Sequence, residues 1–418
     1  MAGKPRIYAP KAFKIPSYEK RILPNGLTAY ILRGGSGGTL KFEWCFKAGR
    51  SVETTFLTSK ICNSLIKEGS GKYTGYQIAE HFDYYGSSLS QNAGTDYNSY
   101  SFYCLNEHFE PLIDMYAHVI LNPSFPENEL EILKNNSISR LKQDLDDADF
   151  NAYRILTEEI FGSEHPYGYN STEELIRNVG TDAIKDHWKN NYFTRDSFLI
   201  LSGDINENVF KKIESSFSSI DLSQRSFDTM KSRQRQNLEI DKRELNKNQC
   251  SVKIGQNCIS RSHDDYNSMF VFNTILGGYF NSRLSTVIRE IKGLTYNIYS
   301  THDTYLYDGL FFISADTSSE HVKKMRKEIY HQIQKMLDKN VSGAELERVR
   351  SYLMGMLLTS FDGIYTCAET LRSSLVEGVT FDSLQSLIDT VAEIEPETIR
   401  LKANEHIDIN NLIEVVIG

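Results

Sequence analysis

The histidines of this chain are too far apart along the sequence to form a local zinc-binding motif. Helical zinc motifs such as His-x-x-Glu-His or His-x-x-x-His place two histidines four positions apart, so that both imidazoles project from one helix face. The chain has ten histidines, and no two lie within four positions of each other: 81, 108, 118, 165, 187, 263, 302, 321, 331 and 406. The sequence therefore offers no local histidine pair to a catalytic zinc ion.

A second set of residues with chemical potential is the pair Arg289 and Tyr296 in the segment 281–296. Arg289 ends a predicted helix, and Gly293 permits the turn into a strand that carries Tyr296. A guanidinium and a phenol are hydrogen-bond donors that can bind a substrate carbonyl and its developing oxyanion. An isolated Arg and Tyr at this spacing are more often a surface helix residue and an ordinary strand aromatic, so the spacing alone does not establish a site.

Alternating strand and helix patterns surround these residues. The first half predicts two strands, two helices, a hairpin with the turn Gly94-Thr-Asp96, two long helices and a late strand. The segments, in that order, are 27–33, 39–47, 55–68, 74–85, 87–93 with 97–105, 109–121, 127–145 and 197–202.

The second half repeats this order of elements, with predicted segments at 250–256, 264–276, 281–291, 295–302, 309–315, 321–337 and 343–357. Aligning 97–105 with 309–317 gives an offset of 212 residues (309 minus 97). The repeat predicts an α+β protein of two homologous domains, 1–221 and 248–418, joined by a polar linker at 222–247. Each domain is expected to be a mostly antiparallel sheet with helices packed on one side.

Composition excludes several function classes. The chain has 418 residues, a net charge of -9 and a sequence pI of about 5.7, which argues against nucleic-acid binding. No signal-peptide core and no apolar run long enough for a membrane segment occur in the sequence. Six cysteines without a CxxC pair indicate reduced thiols. These features predict a cytoplasmic protein without a membrane segment.

Six short motifs, in order along the chain, resemble turns and caps of the insulinase/pitrilysin family of metallopeptidases, the inverzincins. They are Asn25-Gly-Leu27, Ala48-Gly-Arg50, Gly69-Ser70, Leu121-Asn-Pro123, His165-Pro-Tyr-Gly168 and Arg283-Leu284. The resemblance covers essentially the whole chain. It implies two homologous α+β domains and an assembly in which two such chains close around a peptide.

The departures from the family pattern are as informative as the match. The family carries His-x-x-Glu-His on a helix and a further zinc-binding Glu on a later helix. By resemblance these positions are Lys60, Asn63, Ser64 and Arg140. A lysine repels a divalent cation, an asparagine cannot take a proton from water, and a serine hydroxyl is a poor zinc ligand. The resemblance therefore implies a subunit with a degenerate zinc motif and no metal of its own.

The resemblance also implies a role for Arg289 and Tyr296, which in the family reach across the chamber to the zinc-bearing domain. The leading hypothesis is a non-metal-binding subunit of a two-chain zinc metalloendopeptidase, inactive alone. A homologous partner would supply the zinc, and the substrate would be a peptide or an unfolded polypeptide. The alternatives are a catalytically silent scaffold and a peptide-binding subunit of a larger complex. The retained Arg289 and Tyr296 favour the first hypothesis, because a scaffold has no need of that pair.

Overall fold

Two sheets organise the chain, one in each half. The computed structural model describes residues 13–35, 37–225, 238–242 and 249–418. The first sheet contains β1 (Glu19–Ile22), β2 (Thr28–Arg33), β3 (Thr39–Phe46), β6 (Ser90–Ala93), β7 (Asn98–Leu105) and β8 (Phe198–Gly203), while β4 (Gly69–Ser70) and β5 (Tyr73–Thr74) form a separate small hairpin. The second sheet contains β9 (Glu239–Lys242), β10 (Gln249–Cys258), β11 (Asn297–Thr304), β12 (Gly309–Ser318) and β13 (Ile413–Ile417).

The strand orders of the two sheets correspond one to one. The first sheet runs β1-β2-β8-β3-β7-β6 and the second runs β9-β13-β10-β12-β11. The pairs β2–β8 and β9–β13 are parallel, and the remaining pairs within both sheets are antiparallel. Apart from β1, each strand of the first sheet thus has a counterpart at the same place in the second. The predicted α+β class and the internal repeat are confirmed.

Along the chain, helices lie between the strands of each sheet in both halves. Those of the first half are α1 (Thr58–Leu65), α2 (Gly75–Tyr84), α3 (Phe109–Leu121), α4 (Glu127–Asp144), α5 (Ala148–Phe161), α6 (Glu173–Asn178), α7 (Thr181–Asn191) and α8 (Glu207–Phe217). Those of the second half are α9 (Tyr266–Leu276), a π-helix at Ser285–Ile291, α10 (Val322–Asp338), α11 (Gly343–Thr359), α12 (Ile364–Val376), α13 (Phe381–Glu393) and α14 (Pro396–His406).

Each sheet is covered on its second face by a helix from the other half. The strands β3 and β8 are almost entirely buried, which requires apolar cover on both faces. One face packs on the helices of the same half, in a core centred on Trp44. The opposite face packs on α12, through Cys45, Phe198 and Leu371. Likewise, α5 of the first half covers the second sheet. Each sheet therefore has the expected layer of helices on one face and, in addition, a helix from the other half on its opposite face.

The predicted connection at 222–247 is described only in part, because residues 226–237 and 243–248 lie outside the described residues. Within it, β9 pairs in parallel with β13 and so belongs to the second sheet. The exact domain boundaries remain a prediction. In the described part of the chain, no helix has the length and apolar character needed to cross a membrane.

Candidate functional site

The helix α1 carries three of the four degenerate zinc-motif positions. Lys60 is exposed and Ser64 is half-buried, and the Ser64 hydroxyl donates to the Lys60 carbonyl at 2.9 Å. The outer face of α1 thus presents an ammonium and a hydroxyl that is already engaged with its own helix. Neither group offers a negative or imidazole ligand to a cation.

Asn63 occupies the position of the family's general base, yet it is fully buried. Its side-chain carbonyl accepts a hydrogen bond from the Tyr192 hydroxyl at 3.1 Å, and its backbone carbonyl accepts one from Tyr100. Burial raises the pKa of both tyrosines far above the usual range, so both hydroxyls remain protonated donors. Asn63 is therefore part of the core hydrogen-bond network and does not face solvent as a base would.

Arg140 lies on α4, which packs against α1 as the resemblance requires. Its side chain is 84% exposed, and its guanidinium lies 3.8 Å from the Asp144 carboxylate. Leu133, also on α4, packs against the first core. The four motif positions therefore contribute two cations, a buried amide and a hydroxyl, a set that does not fit zinc.

Arg289 and Tyr296 are brought together by an unusual piece of backbone. Residues Ser285–Ile291 form a π-helix, a rare conformation that is frequent at functional sites. The chain leaves it through Gly293, whose φ of +60° is in the left-handed region, as the predicted turn requires. Tyr296 follows just before β11 and is fully exposed.

The Arg289 side chain is held on the surface by two neighbours. Its guanidinium carbon lies 3.8 Å from the centroid of the Phe280 ring, a cation–π contact. Its Nη2 atom donates to the Phe280 carbonyl at 3.4 Å and to Glu290 at 3.1 Å. Phe280 itself is 70% exposed, so the stacked pair faces solvent.

Arg289 and Tyr296 line one cleft of about 720 Å³. Asp316 and His321 also line it, and burial raises the pKa of the Asp316 carboxyl. Lys60, Asn63, Ser64 and Arg140 are not among the residues of this cleft. Arg289 and Tyr296 therefore line the same cleft, as predicted for a joint site, and the four degenerate motif positions do not line it.

One group of potential ligands was missed in the sequence. His263 and His406, with Asp265, have ligand atoms within 4.8 Å of one another. The two histidines are 143 residues apart (406 minus 263), so no spacing rule for local motifs identifies them. Only the packing of α14 against α9 brings them together.

Comparison with known proteins agrees with this geometry. Residues 47–160 match the insulinase family (peptidase family M16), and residues 178–353 match the domain described as the peptidase M16 inactive domain. An uncharacterized zinc protease YmxG of Bacillus subtilis is 26% identical over 73% of this chain and 74% of its own length. A non-peptidase homolog YmxG of Helicobacter pylori is 21% identical over 96% of this chain and 90% of its own length.

A solved structure has the same fold. The peptidase M16 inactive domain from Pseudomonas fluorescens superimposes with a TM-score of 0.87 at 20% identity, covering 96% of this chain and 98% of that chain. The repeated fold and the lost ligand set define an M16-type subunit without the family's zinc motif. The chain belongs to the insulinase family, peptidase family M16.

Proposed function

We propose that this chain is the subunit without a catalytic metal in a two-chain zinc metalloendopeptidase of the cytoplasm. Its partner is a homologous subunit that carries the zinc motif, and the substrate is a peptide or unfolded polypeptide enclosed between the two chains. The chain alone is inactive, because its four motif positions cannot hold the metal or supply the base.

The observation that carries the proposal is the joint placement of Arg289 and Tyr296 on one open cleft. The hydrogen bonds described for Arg289 use only Nη2, so its Nε and Nη1 donors remain for a ligand. The exposed Tyr296 phenol supplies a further donor. Two donors aimed into a cleft fit a carbonyl oxygen that gains negative charge.

In this mechanism the two residues of this chain act on the scissile carbonyl, and the partner's zinc supplies the activated water. Arg289 and Tyr296 donate hydrogen bonds to the carbonyl oxygen, which polarises the bond before attack and stabilises the oxyanion afterwards. Phe280 and Glu290 limit the freedom of the guanidinium, which lowers the entropy lost when it binds.

The sheet edges offer a way to hold the rest of the substrate. The strand β6 is at one edge of the first sheet and pairs there with β7. An extended peptide can add to such an edge through main-chain hydrogen bonds, which are independent of peptide sequence. This fits a substrate class of extended polypeptides.

The second candidate is a silent scaffold or peptide-binding subunit of a larger complex. The loss of all four motif positions supports it as strongly as it supports the first proposal. The two differ at Arg289 and Tyr296, which a scaffold does not need.

The proposal is tested by producing this chain together with a zinc-motif homologue encoded in the same genome. We expect the two chains to co-purify as a heterodimer and to cleave an unfolded polypeptide only when mixed. Light scattering that finds only separate species at about micromolar concentration, a range in which stable complexes persist, would contradict it.

A further inference from the structure

A cluster of metal-ligating side chains lies at the junction of α9 and α14, in the second half of the chain. His406 is the last residue of α14, and Asp265 immediately precedes α9. The His406 Nε2 atom lies 2.8 Å from Asp265 Oδ2, and the His263 Nδ1 atom lies 4.0 Å from the same oxygen. The rings of His263 and His406 meet edge to face with centroids 5.2 Å apart.

We propose that His263, Asp265 and His406 form a binding site for a zinc-like divalent cation that clamps the end of α14 to the start of α9. Two imidazoles and one carboxylate are a ligand set that zinc prefers. This site is separate from the degenerate motif on α1, and it does not depend on the proposed peptidase function.

The distances require only small movements. Tetrahedral zinc with bonds of about 2.0–2.2 Å holds its ligand atoms about 3.3 Å apart. The His406–Asp265 pair at 2.8 Å therefore opens slightly, and the His263–Asp265 pair at 4.0 Å closes slightly. His263 is the adjustable member, since its side chain is 45% exposed.

Binding of a cation also changes the hydrogen bonds that the two histidines now make. His406 Nε2 lies 2.8 Å from Asp265 Oδ2, and the hydrogen between them is released when Nε2 binds the cation. His263 Nδ1 now accepts the Asp265 N–H at 3.1 Å. That N–H belongs to the N-cap residue of α9, where water can replace the lost acceptor.

The surroundings fix two of the ligands before any cation arrives. The His406 carbonyl accepts a hydrogen bond from the Gln256 side chain at 2.7 Å, which anchors the end of α14 to β10. Lys402 binds the other carboxylate oxygen of Asp265 at 3.1 Å, leaving Oδ2 for the cation. The Lys402 ammonium orients the carboxylate but also repels a positive ion.

This dual role of Lys402 gives a diagnostic test. The purified full-length chain is dialysed against zinc chloride, and its bound zinc, zinc affinity and unfolding temperature are measured. We expect about one zinc per chain and a rise in unfolding temperature with zinc. His406→Ala and the exposed His263→Ala should each lose both effects. Lys402→Gln should tighten binding roughly five-fold, because one nearby positive charge is removed.

A matched control is His321→Ala, since the His321 side chain is 40% exposed and lies beside Glu320 at 3.7 Å. It should bind zinc as the unmodified chain does. Because the His263 side chain is 45% exposed, its substitution also separates loss of a ligand from loss of folding. Absence of retained zinc in the unmodified chain would overturn the proposal. So would His406→Ala and His263→Ala chains that retain as much zinc as the unmodified chain. Weaker binding in Lys402→Gln would do so as well, because it would show that the cluster needs Lys402 as a structural pair.

Discussion

Lys41 and Lys253 lie on corresponding strands of the two sheets, 212 residues apart (253 minus 41). Each pairs with a carboxylate on the helix from the other half that covers its sheet. Lys41 of β3 binds Glu43 at 2.8 Å and also Glu369 of α12. Lys253 of β10 binds Asp149, the second residue of α5, and the Ser314 hydroxyl at 2.6 Å. Both lysines are buried. The two ion pairs therefore join the halves at equivalent points of the repeat.

Removal of one partner should weaken this junction. Asp149→Ala leaves the Lys253 ammonium buried with one hydroxyl as its remaining hydrogen-bond partner. We expect a loss of about 2 kcal/mol in the free energy of unfolding, at the low end for buried pairs because Asp149 is about half exposed. Urea unfolding measures it. The double variant Asp149→Ala/Lys253→Met should recover part of the loss, and a single variant as stable as the unmodified chain would refute the role of the pair.

The buried His187 should make stability depend on pH. Burial lowers the pKa of His187 from 6.5 to about 4, and its Nε2 atom bonds the Ala48 carbonyl at 2.9 Å. At a pH between these two pKa values, the unfolded chain therefore binds a proton at His187 that the folded chain does not bind. The free energy of unfolding consequently falls as the pH drops from 6.5 to about 4. The loss reaches about 3 kcal/mol near the lower pKa.

Unfolding by urea at a series of pH values measures this effect. His187→Gln should reduce the slope between these pH values. The slope that remains is expected from His302, because burial also lowers its pKa to about 4. A slope that is identical in His187→Gln and in the unmodified chain would assign the acid sensitivity to other groups.

Restoration of the zinc motif should not create a peptidase. In Lys60→His/Asn63→Glu/Ser64→His, the new glutamate replaces an amide that is fully buried against Tyr192 and Tyr100. Arg140 still stands at the remaining ligand position. We expect a less stable chain that cleaves no peptide by itself, because burial of an unpaired carboxylate is costly. Peptide cleavage by the purified triple variant, sensitive to a chelator, would contradict this expectation.

The sequence predicted much of the fold and the chemical character of the motif, for identifiable reasons. Apolar periodicity located the helices α1–α4 and α9–α11, but not α5–α8 or α12–α14. The identities of Lys60, Asn63, Ser64 and Arg140 indicated a lost metal site. The destination of α5 and α12 could not be predicted, because an apolar helix face does not specify which sheet it covers. The inward direction of Asn63 and the meeting of His263 with His406 also depend on tertiary packing. The stacking of Phe280 on Arg289 could not be predicted either, and periodicity does not distinguish the π-helix that carries Arg289 from an α-helix.

The central claim is that Arg289 and Tyr296 complete the active site of a partner subunit. The measurement is the peptide-cleavage rate of the mixed complex made with Arg289→Ala, Tyr296→Phe or Lys292→Ala. Lys292 is a control from the same segment, paired on the surface with Glu328 at 2.7 Å. We predict that Arg289→Ala and Tyr296→Phe bind the partner normally but lower kcat by about two orders of magnitude, the usual effect of removing one oxyanion donor. Lys292→Ala should remain fully active, whereas cleavage at the unmodified rate by all three variants would contradict the account.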